Sequence, residues 1–289
     1  MIPITGHTRL TALLGSPVAH SISPLMHNEA FQLLNLDYTY LCFDVNEETL
    51  PAAVEGLKAC GIRGFNLTMP NKNQIVKLLD ELSPAARLIG AVNTVVNDKG
   101  HLVGYNTDGV GYMQAVRDAG YDIIGKTITI MGAGGAATAI CAQAALDGVE
   151  KIHIFARETS RFWERTQKLV ENINSTLPCK AVLHENKDTG ALAEAISESA
   201  LLLNATSVGM APDTDSTIIQ DTSLYHPDLI VSDVIYNPRE TRFLREAREA
   251  GCRTFNGMYM LLYQGAEAFR LWTGKEMPIK EIKEKYFSC

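Results

Sequence analysis

A single lysine stands in an uncharged polar run just after a short apolar stretch, in "GFNLTMPNKNQ" (64–74). Hydroxyl and amide side chains surround Lys72 there, and an ammonium group so placed can exchange a proton with a bound hydroxyl group. Further along, "GYNTDG" supplies Asp108, a carboxylate that can pair with the lysine. Lys72 and Asp108 are therefore the candidate proton-handling pair. In the alternative interpretation, residues 68–73 form a turn and Asp108 caps a helix.

More polar side chains follow strand-like runs in the first half of the chain. They are Ser21, Ser23, Asn66, Thr68, Asn93, Asn106 and Thr107. In an open parallel sheet the carboxyl ends of the strands form the ligand crevice, so these groups are expected to converge. Hydroxyls and amides suit a polyhydroxylated ligand, because unmatched buried polar groups penalise the wrong substrate. For Ser21 and Ser23, helix capping is the alternative.

The elements that position these residues alternate between strand-like and helix-like runs, which predicts parallel sheets covered by crossover helices. "LTALLGS", "YTYLCFDV" and "RGFNLTMP" predict strands, and "QIVKLLDEL" predicts a helix. "GAVNTVVNDKGHLVGYNTDG" predicts a hairpin that turns on Asp98, Lys99 and Gly100. The last helix-like run, "GMYMLLYQGAEAFRLWTG", is apolar almost all round, which indicates a helix buried between two bodies.

A second strand–helix series begins at Lys126 with "TITIMGAGGAATA", which places a glycine turn between a buried strand and a helix. The turn comprises Gly132, Ala133, Gly134, Gly135 and Ala136. Glycine lets the backbone approach a pyrophosphate, and the helix N-terminus supplies free N–H groups and a positive dipole end. The context favours a dinucleotide site over a plain tight turn.

The next strand ends in "FARETSR", where the adenosine ribose of a dinucleotide is expected. Arg157 and Arg161 could hold a 2′-phosphate through charge-assisted hydrogen bonds. Glu158 lies between them and could instead accept a hydrogen bond from a free 2′-hydroxyl, as in NAD-binding proteins. A solvated helix N-terminus is the third interpretation.

Composition limits the class of protein. A chain of 289 residues suits about two domains. With 46% hydrophobic and 20% charged residues it is an ordinary globular protein. Its net charge of −7 argues against nucleic acid as a partner. The six cysteines form no C-x-x-C pair, so no metal site is predicted. No signal peptide and no apolar run of membrane-spanning length is evident, which predicts a cytoplasmic location without membrane contact.

Eight segments, in order, resemble the shikimate dehydrogenase family: "HSISPLMHN", "NLTMPNK", "GAVNTVV", "GYNTDGVG", "GAGGAA", "NATSVGM", "VIYNP" and "GMYMLLYQGAEAF". "MPNK" and "LLYQGAEAFRLWTGK" are most similar to its quinate/shikimate dehydrogenase branch. The resemblance implies an α/β protein of two domains with the active site in the cleft between them. Residues 1–112 and the C-terminal helices 258–289 would form a substrate-binding domain with a mainly parallel sheet. Residues 113–257 would form a Rossmann-like NAD(P)-binding domain.

The implied activity is the reversible NAD(P)-dependent reduction of 3-dehydroshikimate to shikimate, on the chorismate pathway of aromatic amino-acid biosynthesis, with quinate as a further substrate. By this resemblance Lys72 and Asp108 are the catalytic pair. The resemblance also implies that Ser21 and Ser23 bind the substrate carboxylate with Tyr236 close by, and that Thr68, Asn93 and Gln264 bind ring hydroxyls. The implied cofactor-binding residues are Gly132, Ala133, Gly134, Gly135, Ala136, Arg157, Glu158, Arg161, Thr206, Ser207, Val234 and Gly257.

Cofactor choice is where the sequence departs from the family. Members specific for NADP resemble Asn-Arg-Thr-x-x-Arg after the second strand, whereas here Ala156 replaces the asparagine and Glu158 the threonine. Both arginines remain, which favours NADP slightly and leaves NAD open. Shikimate versus quinate preference, the division of the proton between the catalytic pair, and a monomer versus a homodimer are also left open.

Two other functions compete with the enzyme. A non-enzymatic binding module could sense the same metabolite, but the intact Lys72 and Asp108 favour catalysis. A related dehydrogenase could act on a folate, but the paired serines and Gln264 suit a small hydroxylated acid.

Overall fold

The computed structural model describes residues 3–287, in which strands and helices alternate as predicted. The strands are β1 (Arg9–Gly15), β2 (Tyr38–Asp44), β3 (Gly64–Leu67), β4 (Glu81–Leu82), β5 (Thr94–Asp98), β6 (His101–Tyr105), β7 (Thr127–Met131), β8 (Lys151–Ala156), β9 (Lys180–Glu185), β10 (Leu201–Asn204), β11 (Ile230–Asp233) and β12 (Arg253–Phe255). The helices are α1 (Ser23–Leu33), α2 (Leu50–Ala59), α3 (Pro84–Ile89), α4 (Asp108–Asp118), α5 (Gly135–Asp147), α6 (Trp163–Thr176), α7 (Thr189–Glu198), α8 (Arg242–Glu249), α9 (Met258–Thr273) and α10 (Ile279–Ile282). No helix within residues 3–287 is long and apolar enough to cross a membrane.

The chain divides into two compact units. The first runs to Thr107 and resumes at Leu262, and the second is Asp108–Leu261. The predicted domain junctions lie at 112/113, inside α4, and at 257/258, just before α9. The assignment of these domains to substrate and dinucleotide stays a prediction. Residues 1, 2, 288 and 289, which the prediction includes in the first domain, lie outside the described residues, and so does the sixth cysteine, Cys289.

The first unit contains a six-stranded sheet in the order β2-β1-β3-β5-β6-β4. Strand β1 is parallel to β2 and β3, and β4 is parallel to β6, whereas β5 is antiparallel to both of its neighbours. The predicted hairpin is confirmed, because Asp98 pairs with His101 across a two-residue turn. Lys99 and Gly100 have φ values of 53° and 93°, the left-handed backbone that tight hairpin turns require.

The predicted helix "QIVKLLDEL" is wrong. Gln74–Leu78 forms a short 3₁₀ helix, and the chain then straightens into β4. Asp80 holds the chain beside β6 at this point. Its N–H donates to Leu102 O (3.0 Å), and its Oδ2 accepts from Leu102 N (2.7 Å). The apolar spacing fits either structure, and pairing with β6 decides between them.

One side of the core of the first unit forms where α9 packs on α1, and a second apolar cluster, which includes Leu50, Val54 and Phe65, lies apart from these two helices. A Cβ atom at Gly265 would overlap Met26 Cε, so glycine permits this close approach. His27 stacks on Tyr40, with ring centroids 4.5 Å apart and planes 8° from parallel. Trp272, which is 1% exposed, donates from Nε1 to Val95 O at 3.0 Å. One face of α9 is therefore buried in this unit, whereas the burial of α9 between two bodies stays a prediction.

His27 is buried without a hydrogen-bond partner at either ring nitrogen among the described residues, and burial lowers its pKa to about 3. Below about pH 6.5 the His27 imidazole binds a proton in the unfolded chain but stays neutral in the folded chain. Stability should therefore fall with pH from about 6.5 towards 3, by at most about 1.4 kcal/mol per pH unit from this residue. His27→Leu should flatten that slope, measured by urea denaturation at several pH values. Equal slopes in both proteins would contradict the neutral buried imidazole.

The second unit contains a parallel sheet in the order β12-β11-β10-β7-β8-β9. Its central strand β7 leads through the glycine turn into α5, as predicted. The order reverses at β7, because the next strands along the chain lie on one side of it and the later ones on the other. Ligands of such sheets bind at the carboxyl edge where the order reverses.

Candidate functional site

A buried polar network lies at the carboxyl end of β3 in the first unit. Its members are Tyr40, Asn66, Asn93, Thr94 and Thr107. The Tyr40 hydroxyl donates to Asn66 Oδ1 at 2.8 Å, and Asn66 Nδ2 donates to Asn93 O at 3.1 Å and to Thr94 Oγ1 at 2.9 Å. The network brings together several of the polar residues predicted to converge. Tyr40 is an addition to that set, and sequence reasoning missed it because it stands inside a strand-like run and not at its end.

Asn93, predicted to bind a ring hydroxyl, is held in a fixed orientation by the polar network. Its Oδ1 accepts from Thr107 N at 2.8 Å and from Thr94 Oγ1 at 3.0 Å, while its Nδ2 donates to Thr107 Oγ1 at 3.0 Å. These contacts identify the oxygen and the nitrogen of the amide. The oxygen accepts two of these hydrogen bonds and the nitrogen donates one, so the side chain is held with a known placement of both atoms.

The segment that carries Lys72 is a turn anchored by its neighbouring amides. Asn71 is 0% exposed and donates from Nδ2 to Val45 O at 2.7 Å, and Asn73 Nδ2 donates to Gly90 O at 2.9 Å. Lys72 O accepts from Val92 N at 2.8 Å. Asn71 and Asn73 therefore have the structural role that the turn interpretation of residues 68–73 gives them. Their hydrogen bonds fix the backbone of Lys72, which lies between them.

Thr68 and the two serines lie near the carboxyl ends of β1 and β3. A Cβ atom at Gly15, the last residue of β1, would overlap Thr68 Cγ2, so this glycine makes room for the threonine. Ser23 N donates to Ser21 Oγ at 3.2 Å at the start of α1, but Ile22 is the N-cap residue and no side chain makes a capping hydrogen bond there, so the capping interpretation of the two serines is wrong. Ser23 lies beside the Tyr40 phenol, whose pKa burial raises. Gln264 lies on α9, next to the close contact at Gly265.

Two predicted residues belong to the second unit. Asp108 is the first residue of α4 and is buried, and Tyr236 lies beyond the end of β11 with 45% of its surface exposed. The pairing of Asp108 with Lys72, and the approach of Tyr236 to the substrate carboxylate, stay predictions.

The glycine turn between β7 and α5 is the predicted diphosphate site. Gly132 has φ +118°, and a Cβ atom there would lie 2.9 Å from Ala205 O, so the fold itself requires this glycine. Gly134 and Gly135 differ, because a Cβ atom at either would meet nothing within 4 Å. Neither glycine is needed by the protein's own packing. Both leave open backbone at the N-terminus of α5, where an anionic group is favoured.

Gly135→Ala separates stability from dinucleotide binding. Alanine in the first turn of α5 should raise the free energy of unfolding by about 0.5–1 kcal/mol, because it restricts the unfolded chain. The methyl group should also occupy the space of a diphosphate and weaken NADPH binding by about tenfold or more, about 1.4 kcal/mol. Urea denaturation and a fluorescence titration with NADPH measure the two quantities. Gly132→Ala is the contrast and should lose both stability and binding; unchanged NADPH affinity in Gly135→Ala would contradict the cradle.

The loop after β8 carries the residues predicted to select the cofactor. Arg157 and Glu158 are exposed, and Arg161 places its guanidinium carbon 4.7 Å from the centre of the Phe162 ring. The helix begins only at Trp163, so the two arginines lie on an irregular turn and not four apart on a helix. Glu185 adds a second carboxylate to this loop, because its Oε1 accepts from Glu158 N at 3.5 Å.

Two further polar residues, Asn204 and Asp233, end the strands β10 and β11, and sequence reasoning missed them. The loops that follow them carry Thr206, Ser207 and Val234. In the first half of the chain, a polar residue at the end of a strand-like run was the signal for a site residue. The segments "LLLNATS" and "LIVSDV" carry the same signal, which could have identified Asn204 and Asp233.

The chain matches two family models, the shikimate dehydrogenase substrate binding domain over residues 13–95 and the shikimate 5′-dehydrogenase C-terminal domain over residues 257–285. Shikimate dehydrogenase (NADP(+)) of Listeria monocytogenes is 55% identical over 284 residues, which cover 98% of this chain and 97% of that protein.

Solved structures agree with these matches. A crystal structure of shikimate 5-dehydrogenase from Listeria monocytogenes, in complex with shikimate and NAD, superposes with a TM-score of 0.95 at 55% identity, covering 97% of each chain. Quinate dehydrogenase from Corynebacterium glutamicum in complex with NAD superposes with a TM-score of 0.85 at 30% identity, covering 98% of this chain and 99% of the other. The fold and the glycine turn of this chain are those of the two-domain nicotinamide-dependent dehydrogenases. Within that class, the chain belongs to the shikimate dehydrogenase family.

Proposed function

We propose that this chain catalyses the reversible NADP-dependent reduction of 3-dehydroshikimate to shikimate. The observation that carries the proposal is the polar network around Asn93. It fixes the Asn93 amide beside the anchored turn of Lys72 and the Gly15–Thr68 contact, a set of polar groups that suits a small ring with several hydroxyl groups. The 55% identity to an enzyme of this name supports it over nearly the whole chain.

The reaction adds a hydride to the carbonyl carbon of the substrate and a proton to its oxygen. A bound nicotinamide supplies the hydride chemistry. Lys72 is proposed to hold the proton at the reacting oxygen, and Asp108 to orient the ammonium group or share in the transfer. The hydrogen bonds that Asn71 and Asn73 donate to backbone carbonyls would keep the lysine backbone in place during the transfer.

The remaining polar groups are proposed to recognise the substrate. Ser21 and Ser23 would bind its carboxylate, with Tyr236 close by. Asn93, Thr68 and Gln264 would bind ring hydroxyls. Quinate, which carries one more hydroxyl, is proposed as a second substrate.

The cradle at Gly134 and Gly135 fits the diphosphate of NADP, because no described residue fills it. Arg157 and Arg161 are proposed to bind the 2′-phosphate. The biosynthetic pathway and the five free thiols among the described residues support a cytoplasmic location. A homodimer is the proposed assembly, which sedimentation would test.

A kinetic matrix of shikimate and quinate against NADP and NAD tests the proposal, with dinucleotide reduction followed by absorbance. The proposal expects the highest kcat/KM for shikimate with NADP. Tight binding of shikimate without turnover in any combination would favour a metabolite-sensing module instead. A higher kcat/KM for quinate, or for NAD, would overturn the corresponding part of the proposal.

A further inference from the structure

Asn204 and Asp233 face each other across two neighbouring strands of the second sheet. They are register partners at the carboxyl ends of β10 and β11, and both are 0% exposed. Asn204 Nδ2 donates to Asp233 Oδ2 at 3.2 Å. A buried carboxylate paired with a neutral amide is costly unless its remaining lone pairs are satisfied, so the other contacts of the pair show what it is for.

Asn204 holds the loop that follows β10. Its Oδ1 accepts from Thr206 N at 3.1 Å and from Thr206 Oγ1 at 2.7 Å, and its Nδ2 also donates to Val208 O at 3.1 Å. Thr206 Oγ1 in turn accepts from Val208 N at 3.1 Å. The side chain of Asn204 thus ties down both ends of the loop that carries Thr206 and Ser207.

Asp233 holds the loop that follows β11. Its Oδ1 accepts from Ile235 N at 2.9 Å, and its Oδ2 accepts from Thr241 Oγ1 at 2.8 Å. Val234 lies between these anchors, and a Cβ atom at Gly257 would overlap its carbonyl oxygen, so a shift of Val234 would be felt at Gly257. The two loops together contain or contact four of the residues assigned to the cofactor: Thr206, Ser207, Val234 and Gly257.

We propose that Asn204 and Asp233 are positioning residues, whose mutual hydrogen bond holds the loops 204–209 and 233–241 in the arrangement that binds the dinucleotide. The proposal rests on the proposed function, since it concerns the cofactor of the same reaction. It assigns to the pair a role in cofactor affinity rather than in contact with the reacting atoms.

The carboxylate suits this role because it only accepts hydrogen bonds, and three donors surround it. An amide at position 233 would turn its NH₂ group either towards Asn204 Nδ2 and the Thr241 hydroxyl or towards Ile235 N–H. Either orientation places a donor against a donor and loosens one loop. Burial raises the pKa of Asp233 to about 6, against the opposing effect of its three hydrogen bonds. The Tyr112 phenol of α4 also faces the carboxyl, and burial raises its pKa, so it stays neutral while Asp233 titrates.

Asp233→Asn should therefore raise the dissociation constant of NADPH roughly ten- to a hundredfold, the range of a lost charge-assisted hydrogen bond. Fluorescence titration with NADPH measures this without turnover. The KM for shikimate should change by less than about twofold, in contrast to the KM for NADP. In the parent protein NADPH affinity should fall as the pH drops through about 6, because Asp233 gains a proton and loses an acceptor. The variant should show a smaller fall, which leaves only the contribution of the 2′-phosphate of NADPH, a group that also titrates near pH 6.

A double variant that exchanges the two side chains, Asn204→Asp with Asp233→Asn, tests whether the contact between them matters. It again pairs one carboxylate with one amide, so it should recover most of the NADPH affinity that Asp233→Asn loses. Asn204→Asp alone opposes two carboxylates and should bind NADPH more weakly than the double variant. Additive losses in the double variant, or an unchanged NADPH dissociation constant in Asp233→Asn, would overturn the proposal.

Should Asp233→Asn fail to fold, Thr241→Val decides the matter. It removes one donor to the same carboxylate and should weaken NADPH binding roughly threefold to tenfold. A lower thermal midpoint with unchanged NADPH affinity in that variant would show a purely structural role and overturn the proposal. Failure of the proposed function is separate, because it would appear as absent shikimate oxidation in the unmodified protein.

Discussion

Lys72→Met is expected to lower kcat for shikimate oxidation by about 10²–10⁴-fold, the usual contribution of a general acid or base. Methionine keeps similar bulk without an exchangeable proton, and the anchors of the turn come from Asn71 and Asn73, so the fold should persist. The KM for shikimate should change little, because a group that acts only in the transition state affects kcat and kcat/KM equally. Steady-state kinetics with saturating NADP measures both.

Lys77→Met is the matched control, since Lys77 is an exposed lysine on the neighbouring 3₁₀ helix. It should keep the parent kcat. If Lys72→Met instead raises the KM for shikimate and keeps kcat, Lys72 is an electrostatic anchor for the substrate carboxylate. A Lys72→Met enzyme with near-parent kcat and KM would exclude both roles.

Arg157→Ala and Arg161→Ala are each expected to raise the KM for NADP by roughly ten- to a hundredfold, because each would remove a charge-assisted contact worth about 1.5–3 kcal/mol. The KM for NAD should stay within about twofold, since NAD lacks the 2′-phosphate that these side chains would bind. The ratio of kcat/KM for the two cofactors, measured with shikimate saturating, is the readout.

Arg245→Ala serves as the control, because Arg245 is an exposed arginine on α8 of the same unit. Its cofactor ratio should match that of the parent protein. Unchanged NADP kinetics in both test variants would mean that the arginines do not bind the phosphate. Glu158 with NAD would then be the better interpretation, and Glu158→Ala should raise the KM for NAD.

Local residue chemistry predicts the parts of the fold that depend on neighbouring residues. The turn at Lys99 and Gly100 follows from Gly100, which adopts left-handed backbone without strain, and the glycine turn before α5 follows from its strand–helix context. The helix predicted over 74–82 is wrong because β4 exists only through pairing with β6, a strand distant along the chain, which apolar spacing does not encode.

The candidate site divides in the same way. Polar residues at strand ends, such as Asn93, can be picked from sequence because parallel strands end at a common edge. The hydrogen bonds between them cannot be predicted, since the contacts of Tyr40 with Asn66 and of Asn204 with Asp233 depend on which strands lie side by side. That order, β2-β1-β3 in one sheet and β11-β10-β7 in the other, is set by packing of the whole chain.

The first unit is assembled from both ends of the described chain, and this has a consequence for its synthesis on the ribosome. Arg63 donates to Trp272 O at 2.8 Å, and the Trp272 side chain packs against Gly64 and Val95. These contacts join residues that lie more than half of the chain length apart in sequence. The segment up to Thr107 therefore emerges long before the helix that completes its core. The second unit, continuous from Asp108 to Leu261, can fold in the meantime. In nascent chains from which α9 has not yet emerged, the second unit should thus resist proteolysis, whereas the first unit should still be cleaved.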